Sequence, residues 1–310
     1  MAITAAMVKE LREKSGAGMM DCKKALNETN GNMDEAMEYL RKNGQAKAEK
    51  KAARIAAEGI VKIAVKDNTA AIVEVNSETD FVAKNEKFQT YVGKVAEQVL
   101  VSSASDLDAF MEEPWTEDAS KTVKDALVEQ VAVIGENLKI RRFEKVVAEN
   151  GCVVDYIHGG GRIGVIVEAE TTVVNDTVKE AMKNIAMQIA ALNPKYVTRS
   201  EISADYIAHE KEILLAQIMN DPKESQKPEK VINGMIEGRV NKELKEICLV
   251  DQVYVKAEDG KQTVAKYLEA VSKEAGAPVS VKRFVRFETG EGLEKKNEDF
   301  AAEVAAQMNA

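Results

Sequence analysis

Residues 70–82 read Ala-Ala-Ile-Val-Glu-Val-Asn-Ser-Glu-Thr-Asp-Phe-Val. The apolar run 70–75 is typical of a buried strand, because it is short and bounded by polar residues. A strongly amphipathic helix is predicted to begin near Asn85. The acid–aromatic pair Asp80–Phe81 is therefore expected on a turn between two rigid elements, where proteins often place functional groups.

This order of elements occurs twice in the chain. The first copy has strand patterns at 59–65, 70–75 and 137–143, and the second has them at 152–157, 163–169 and 279–284. Each middle strand is followed by a helical pattern. The sequence therefore predicts an α+β fold with two related subdomains, each a small antiparallel sheet backed by helices. The second copy reads Thr-Thr-Val-Val at 171–174, so the scaffold itself does not require Asp80 and Phe81.

The N-terminal 44 residues predict three short helices. The third has an apolar stripe at i, i+3, i+4 and i+7 from Met33, with Asn32 and Glu35 forming a capping-box pattern. Gly44 is predicted to end this helix. The basic stretch 45–54 is then either a helical or a flexible linker, and taken alone it favours a solvated spacer.

Two further helical regions complete the chain. Residues 200–247 predict two helices that fold back as an antiparallel hairpin, with a break at 221–228. Residues 294–310 predict a last helix with an apolar side.

Composition limits the classes of function. The 310 residues are enough for about two domains. A net charge of -9 argues against a general nucleic-acid-binding surface, although it leaves a local basic patch open. The spacing of the three cysteines fits neither a zinc site nor a disulfide framework and favours a reducing compartment. With no signal-peptide pattern and no run of about 18 apolar residues, we expect a cytoplasmic protein without a membrane partner.

Recognisable catalytic motifs are nearly absent from the sequence. His209 is expected to be an exposed residue of the hairpin, and His158 is either a partner-facing residue or a turn residue bonded to its own backbone. The glycine-rich stretch 159–164 lacks the Gly-Lys-Ser/Thr of a phosphate loop and leads into a strand. We therefore expect no catalytic residue, no metal site, no direct nucleotide binding and no resident cofactor.

The exposed-looking apolar residues have structural alternatives. Phe81 either contacts a partner or packs as a staple on the following helix, and Asp80 either presents its charge or accepts backbone N–H bonds at the helix start. Met19 and Met20 either present soft apolar surface or fold back onto the helical module. The sequence alone leaves these choices open.

Several long motifs resemble the bacterial elongation factor Ts family. They are Val-Lys-Glu-Leu-Arg at 8–12, Gly-Ala-Gly-Met-Met-Asp-Cys-Lys-Lys-Ala-Leu at 16–26, Thr-Asp-Phe-Val-Ala-Lys-Asn at 79–85, His-Gly-Gly-Gly-Arg-Ile-Gly at 158–164 and Gly-Glu-Gly-Leu-Glu-Lys at 290–295, with Phe-Ala-Ala-Glu-Val at 300–304. The resemblance covers the whole chain. One departure is Ser77, where many members carry Cys.

The resemblance implies a specific domain organisation. It consists of a UBA-like (ubiquitin-associated-like) three-helix module with its basic linker at 1–54, a core N-subdomain at 55–149, a core C-subdomain at 150–199 and 248–290, an inserted coiled-coil hairpin at 200–247 and a C-terminal helical module at 291–310.

The resemblance also implies a function, which is guanine-nucleotide exchange on elongation factor Tu in translation elongation, without enzymatic catalysis. Thr79, Asp80, Phe81 and Val82 would intrude beside the magnesium site of this GTPase and promote GDP release. The nucleotide-binding domain of the partner would be contacted by Arg12, Met19, Met20 and Lys23, and a more distant domain by Ile134 and His158. The assembly would be a homodimer or a heterotetramer with the GTPase.

A different class of function is also open. The chain could be a helical adaptor that binds a partner without changing its nucleotide affinity. The acid–aromatic segment, present in only one of the two copies, favours exchange over an adaptor. A hydrolase is disfavoured, because the sequence marks no nucleophile, base or metal site.

Overall fold

The computed structural model describes residues 3–294. Its helices are α1 (Ala5–Ser15), α2 (Met19–Glu28), α3 (Met33–Lys51), α4 (Asp80–Ala83), α5 (Glu86–Val101), α6 (Leu107–Glu112), α7 (Val123–Ile134), α8 (Asp176–Leu192), α9 (Ala204–Asn220), α10 (Glu229–Ile247) and α11 (Val264–Ala275). The strands are β1 (Glu58–Lys66), β2 (Thr69–Ser77), β3 (Pro114–Trp115), β4 (Asp118–Thr122), β5 (Lys139–Val147), β6 (Gly151–His158), β7 (Ile163–Glu170) and β8 (Ser280–Glu288).

The N-terminal three helices pack around their own apolar cluster, which includes Leu11, Cys22 and Leu26. Asn32 caps α3 as predicted, by accepting from two backbone N–H groups. The reciprocal bond of a capping box is not formed, because Glu35 accepts from the side-chain amide of Asn32 and the backbone N–H of Asn32 bonds to Thr29. The predicted stop at Gly44 is wrong, because α3 continues to Lys51. Gly44 is buried against α7, where an added Cβ would lie 3.4 Å from the Cβ of Ala132. Gly44 therefore lines the contact between α3 and α7 with room for a Cβ, and the linker up to Lys51 is helical.

Two three-stranded sheets form the core, in the orders β1-β2-β5 and β6-β7-β8. All neighbours are antiparallel, and the register shifts once in each sheet, directly after Glu74 in the first and after Glu168 in the second. This repeated topology confirms the predicted α+β class with two related small sheets. The third strand of the first sheet begins two residues later than predicted, and the backbone N–H of Asn137 donates to the carboxylate of Glu78 instead of to β2.

The two sheets pack face to face between layers of helices. Ile72 of β2 and Ile166 of β7 belong to one cluster between the inner faces. The other face of the first sheet packs with α5 and α7, and that of the second with α8 and α11. Because β2 and β7 are covered on both faces, their sequences are almost continuously apolar.

The inserted region forms the predicted helical hairpin. Tyr206 of α9 bonds to Glu243 of α10, and Lys211 bonds to Glu237 further along, so the two helices run antiparallel. Ile218 is fully buried between them.

Two points complete the description. No helix within residues 3–294 is long and apolar enough to cross a membrane. The predicted helix at 294–310 lies, apart from its first residue, outside the described residues, and the domain bounds expected from the resemblance stay a prediction.

Candidate functional site

The segment after β2, predicted as a turn between two rigid elements, folds as a one-turn helix. Thr79 is the N-cap of this helix, α4, and its hydroxyl accepts from the N–H of Val82 at 3.3 Å. Asn85 then caps α5, accepting from the N–H of Lys87 at 2.9 Å. Two N-caps six residues apart thus start two separate helices, and the short α4 between them carries the exposed Phe81. We call residues 79–82 the protruding turn.

Phe81 is exposed over 81% of its surface. Its neighbours in sequence do the packing, since Ala83 is buried and Val82 contacts the core cluster of the first sheet. The staple interpretation of Phe81 is therefore wrong. Burial of this exposed phenylalanine side chain in a partner would stabilise the complex by about 1.5–3 kcal/mol.

Asp80 directly precedes Phe81 and is also exposed. Its Oδ2 is 2.6 Å from Nζ of Lys84, one helical turn on, and both side chains are more than half exposed. The hydrogen bond from Lys84 holds the pKa of the Asp80 carboxyl below its ordinary value. Asp80 is therefore ionised at neutral pH. The N-cap of α4 is Thr79 and that of α5 is Asn85, so Asp80 caps neither helix.

The protruding turn is fastened to the core by two acidic side chains. Glu136, just after α7, accepts from the N–H of Glu78 at 3.0 Å and from the N–H and hydroxyl of Thr79 at 3.1 and 2.7 Å. In return, Glu78 accepts from the N–H of Asn137 at 2.6 Å. Charge-assisted bonds of this kind are stronger than neutral ones, so they fix the base of the turn while its tip stays in solvent.

The predicted contact residues of the N-terminal module are on its surface. Met19 and Met20 open α2 and are 56% and 75% exposed, so the interpretation that both fold back onto the module is wrong. Arg12 and Lys23 are exposed on α1 and α2. Basic and soft apolar side chains are thus both exposed on the surface of this module.

The remaining two predicted contact residues lie on different elements, one on a helix and one on a strand. Ile134 ends α7, two residues before Glu136, and is half-buried against the core. His158 is exposed at the end of β6, with its Nδ1 3.1 Å from the hydroxyl of Tyr156. Ile134 is close in sequence to Glu136, which fastens the protruding turn. His158 belongs instead to the β6–β7 hairpin of the second sheet.

Known proteins resemble this chain over nearly its whole length. The family model described as Elongation factor TS matches residues 78–291. The chain is 50% identical to Elongation factor Ts of Clostridium novyi over 309 residues, 99% of each chain. It is 51% identical to that of Clostridioides difficile over 308 residues, again 99% of each, and 50% identical to that of Trichlorobacter lovleyi over 312 aligned residues, 99% of this chain and 98% of the other.

The chain belongs to the elongation factor Ts family. The resemblance carried by its motifs is thereby confirmed, and it is a translation elongation factor that acts in protein biosynthesis. The family match begins at Glu78, at the base of the protruding turn, and includes Ile134 and His158.

Sequence reasoning on this elongation factor Ts family member missed Glu136 and Asn137. The stretch Gly-Glu-Asn at 135–137 follows a helix and precedes a strand, so it looks like an ordinary connection. Its polar composition is usual for so short a loop and gives no signal of a long-range role. Within residues 3–294, no group of three or more His, Cys, Asp or Glu side chains is arranged to hold a metal ion.

Proposed function

We propose that this chain is the guanine-nucleotide exchange factor for elongation factor Tu. The observation that carries the proposal is the exposed Phe81, held out beside the ionised Asp80 on a fastened one-turn helix. A pre-ordered apolar probe loses little conformational freedom on insertion, so more of its burial energy is available to deform the partner. The exchange factor itself performs no covalent chemistry.

In the proposed mechanism, Phe81 enters between elements of the GTPase and shifts those that hold Mg²⁺. Asp80 adds negative charge near the phosphates, which lowers the affinity for a negatively charged nucleotide. GDP then dissociates faster. Thr79 and Val82 take part by shaping the turn, since Thr79 caps it and Val82 packs its inner side.

The coupling between the two ligands of the GTPase is reciprocal. If the exchange factor weakens GDP binding tenfold, about 1.4 kcal/mol, then GDP weakens binding of the exchange factor by the same factor. Binding of abundant GTP then displaces the factor from the GTPase. A factor that binds without this negative coupling would be an adaptor.

Contacts away from the protruding turn supply the binding energy. We propose that Arg12, Met19, Met20 and Lys23 dock on the nucleotide-binding domain, with Ile134 and His158 on a more distant domain. The exposure of Met19 and Met20 supports this assignment, because Met side chains adapt to an apolar partner surface. The proposed role also assigns the chain to the cytoplasm, where elongation takes place.

The test is the rate of release of fluorescent GDP from elongation factor Tu, followed by stopped flow with excess unlabelled nucleotide. The wild-type chain should accelerate release, and Phe81→Ala should lower the maximal rate by about tenfold, equivalent to about 1.4 kcal/mol. Val101→Ala removes another exposed apolar side chain, 64% accessible at the end of α5, and should release GDP as the wild type does.

Two outcomes would contradict the proposal. If Phe81→Ala accelerates GDP release as much as the wild-type chain does, Phe81 does not act as a wedge. Binding of the wild-type chain without any acceleration of GDP release would leave the adaptor as its function.

A further inference from the structure

We propose that Glu136 is a positioning residue for nucleotide exchange, which fixes the direction in which Phe81 protrudes. This inference rests on the proposed function, because it assigns the residue on which the geometry of the wedge depends. Glu136 itself is not one of the predicted contact residues. Its role follows from where its two carboxylate oxygens lie.

Each oxygen of Glu136 has a separate task. Oε2 accepts from the consecutive N–H groups of Glu78 and Thr79 at 3.0 and 3.1 Å, and Oε1 accepts from the hydroxyl of Thr79 at 2.7 Å. The same hydroxyl accepts from the N–H of Val82. One carboxylate therefore sets both the backbone entering α4 and the side chain that caps it.

The fastening is doubled by the neighbouring residues. Glu78 accepts from the N–H of Asn137 at 2.6 Å, so each of the two crossing segments supplies a carboxylate to the backbone of the other. Ser77 adds a bond from its hydroxyl to the carbonyl of Thr79 at 3.0 Å. A turn held from two sides cannot rotate about one bond, so its tip has one direction.

The segment that carries Glu136 is itself anchored to the N-terminal helices. Lys51 at the end of α3 donates to the carbonyl of Gly135, and Asn137 donates from Nδ2 to the carbonyl of Arg54 at 2.8 Å. Further back, Arg41 of α3 pairs with Asp125 of α7 at 2.9 Å. Residues 135–137 thus connect the module that bears Met19 and Met20 with the turn that bears Phe81.

The second copy of the repeat serves as an internal comparison. After β7, the loop is closed by its own residues, since the hydroxyl of Thr171 accepts from the N–H of Val173 at 3.2 Å. The equivalent loop of the first copy is fastened from a distant part of the chain, 57 residues away at Thr79. The long-range clamp accompanies the copy that carries the exposed aromatic residue, which fits a functional role better than a need of the scaffold.

The experiment compares three replacements of Glu136 in the full-length chain. Glu136→Ala removes all three acceptor contacts and should lower the maximal rate of GDP release by about tenfold, with a smaller change in the half-saturating concentration. Glu136→Asp keeps the charge but has a side chain one methylene shorter, so it should also lower the maximal rate of GDP release. Glu136→Gln can accept from both N–H groups with its oxygen and donate to the Thr79 hydroxyl, so it should stay within roughly threefold of the wild type.

A matched control lies seven residues earlier, on α7. Glu129 is similarly half-buried and bonds to Lys121 instead of the turn, so Glu129→Ala should exchange as the wild type does. The double variant Glu136→Ala with Phe81→Ala should be little slower than Phe81→Ala alone, because a misdirected ring and an absent ring fail in the same way. Hydrogen exchange at the amides of Glu78 and Thr79 should be faster in Glu136→Ala.

The outcomes separate this inference from the function on which it rests. If Phe81→Ala is slow but Glu136→Ala and Glu136→Asp release GDP at the wild-type rate, the positioning role alone is overturned. Equal losses in Glu136→Gln and Glu136→Ala would assign the effect to charge and also overturn it. If Phe81→Ala itself releases GDP at the wild-type rate, Phe81 has no wedge role, and the positioning role of Glu136 is overturned together with it. Should Glu136→Ala not fold, Glu136→Asp gives the same decision.

Discussion

Glu74 and Glu168 occupy matching positions in the two sheets. Each is the last residue before the register shift of its middle strand, and each faces an arginine across the sheet, Arg142 at 2.6 Å and Arg283 at 2.9 Å. A second cation completes each group, Arg141 or Lys282. The internal repeat has therefore kept a buried carboxylate with two cations in each copy.

The two carboxylates should differ in their effect on stability. Glu74 also accepts from Asn76 and from the N–H of Gly290, whereas the cations of Glu168 are almost half exposed and can be hydrated again. Glu74→Ala should lower the free energy of unfolding by about 3–5 kcal/mol, because it removes the buried acceptor that Arg141, Arg142 and the N–H of Gly290 share. Glu168→Ala is expected to cost roughly half as much. Urea denaturation of both variants measures the difference, and equal losses would contradict the asymmetry.

Glu74 should also make stability depend on acid pH. Burial alone would raise the pKa of this carboxyl, but hydrogen bonds from Gly290, Asn76, Arg141 and Arg142 outweigh it and lower the pKa below 4.5. Because the folded pKa lies below the unfolded one, the stabilisation is complete above about pH 4.5 and is lost as pH falls through the lowered folded value. Thermal unfolding between pH 7 and pH 3 should show a shallower decline for Glu74→Gln than for the wild type. Parallel declines would show that other groups cause the acid sensitivity.

Gly44 and Gly16 should respond oppositely to alanine. Gly44 lies inside α3 with room for a Cβ at 3.4 Å from Ala132, so Gly44→Ala should raise stability by about 0.5–1 kcal/mol through helix propensity. Gly16 ends α1 in the left-handed conformation at a φ of 67°, so Gly16→Ala should lower stability by about 1 kcal/mol. The melting temperature reports both changes. A loss of stability in Gly44→Ala would mean that α3 and α7 pack too tightly for one methyl group.

Asp80 should contribute less to exchange than Phe81. Asp80→Asn keeps the shape of the turn and removes only the charge, which Lys84 already offsets in part. We expect the maximal rate of GDP release to fall by roughly threefold, compared with about tenfold for Phe81→Ala. Acceleration by the wild-type chain should be smaller when Mg²⁺ is removed beforehand, and the same acceleration with and without Mg²⁺ would contradict the magnesium part of the mechanism.

Prediction from the sequence succeeded where the signal is local. The repeated strand order, the hairpin at 200–247, the cap at Asn32 and the start of a helix near Asn85 all follow from periodicity and from the side chains at the element ends. It failed at Gly44, because a glycine ends a helix or lines a helix contact according to what packs against it. For Gly44 that neighbour is Ala132, on a helix far along the chain.

The sequence by itself determined the secondary elements, the duplicated α+β plan and, through its motifs, the elongation factor Ts family. The tertiary structure alone decided that Phe81 protrudes instead of stapling its own helix, and that Glu136 holds the turn from which it protrudes. The physical reason is the range of the interactions. Periodicity and capping act over a few residues, whereas the exposure of one ring depends on which distant side chains fill the core and satisfy the backbone around it.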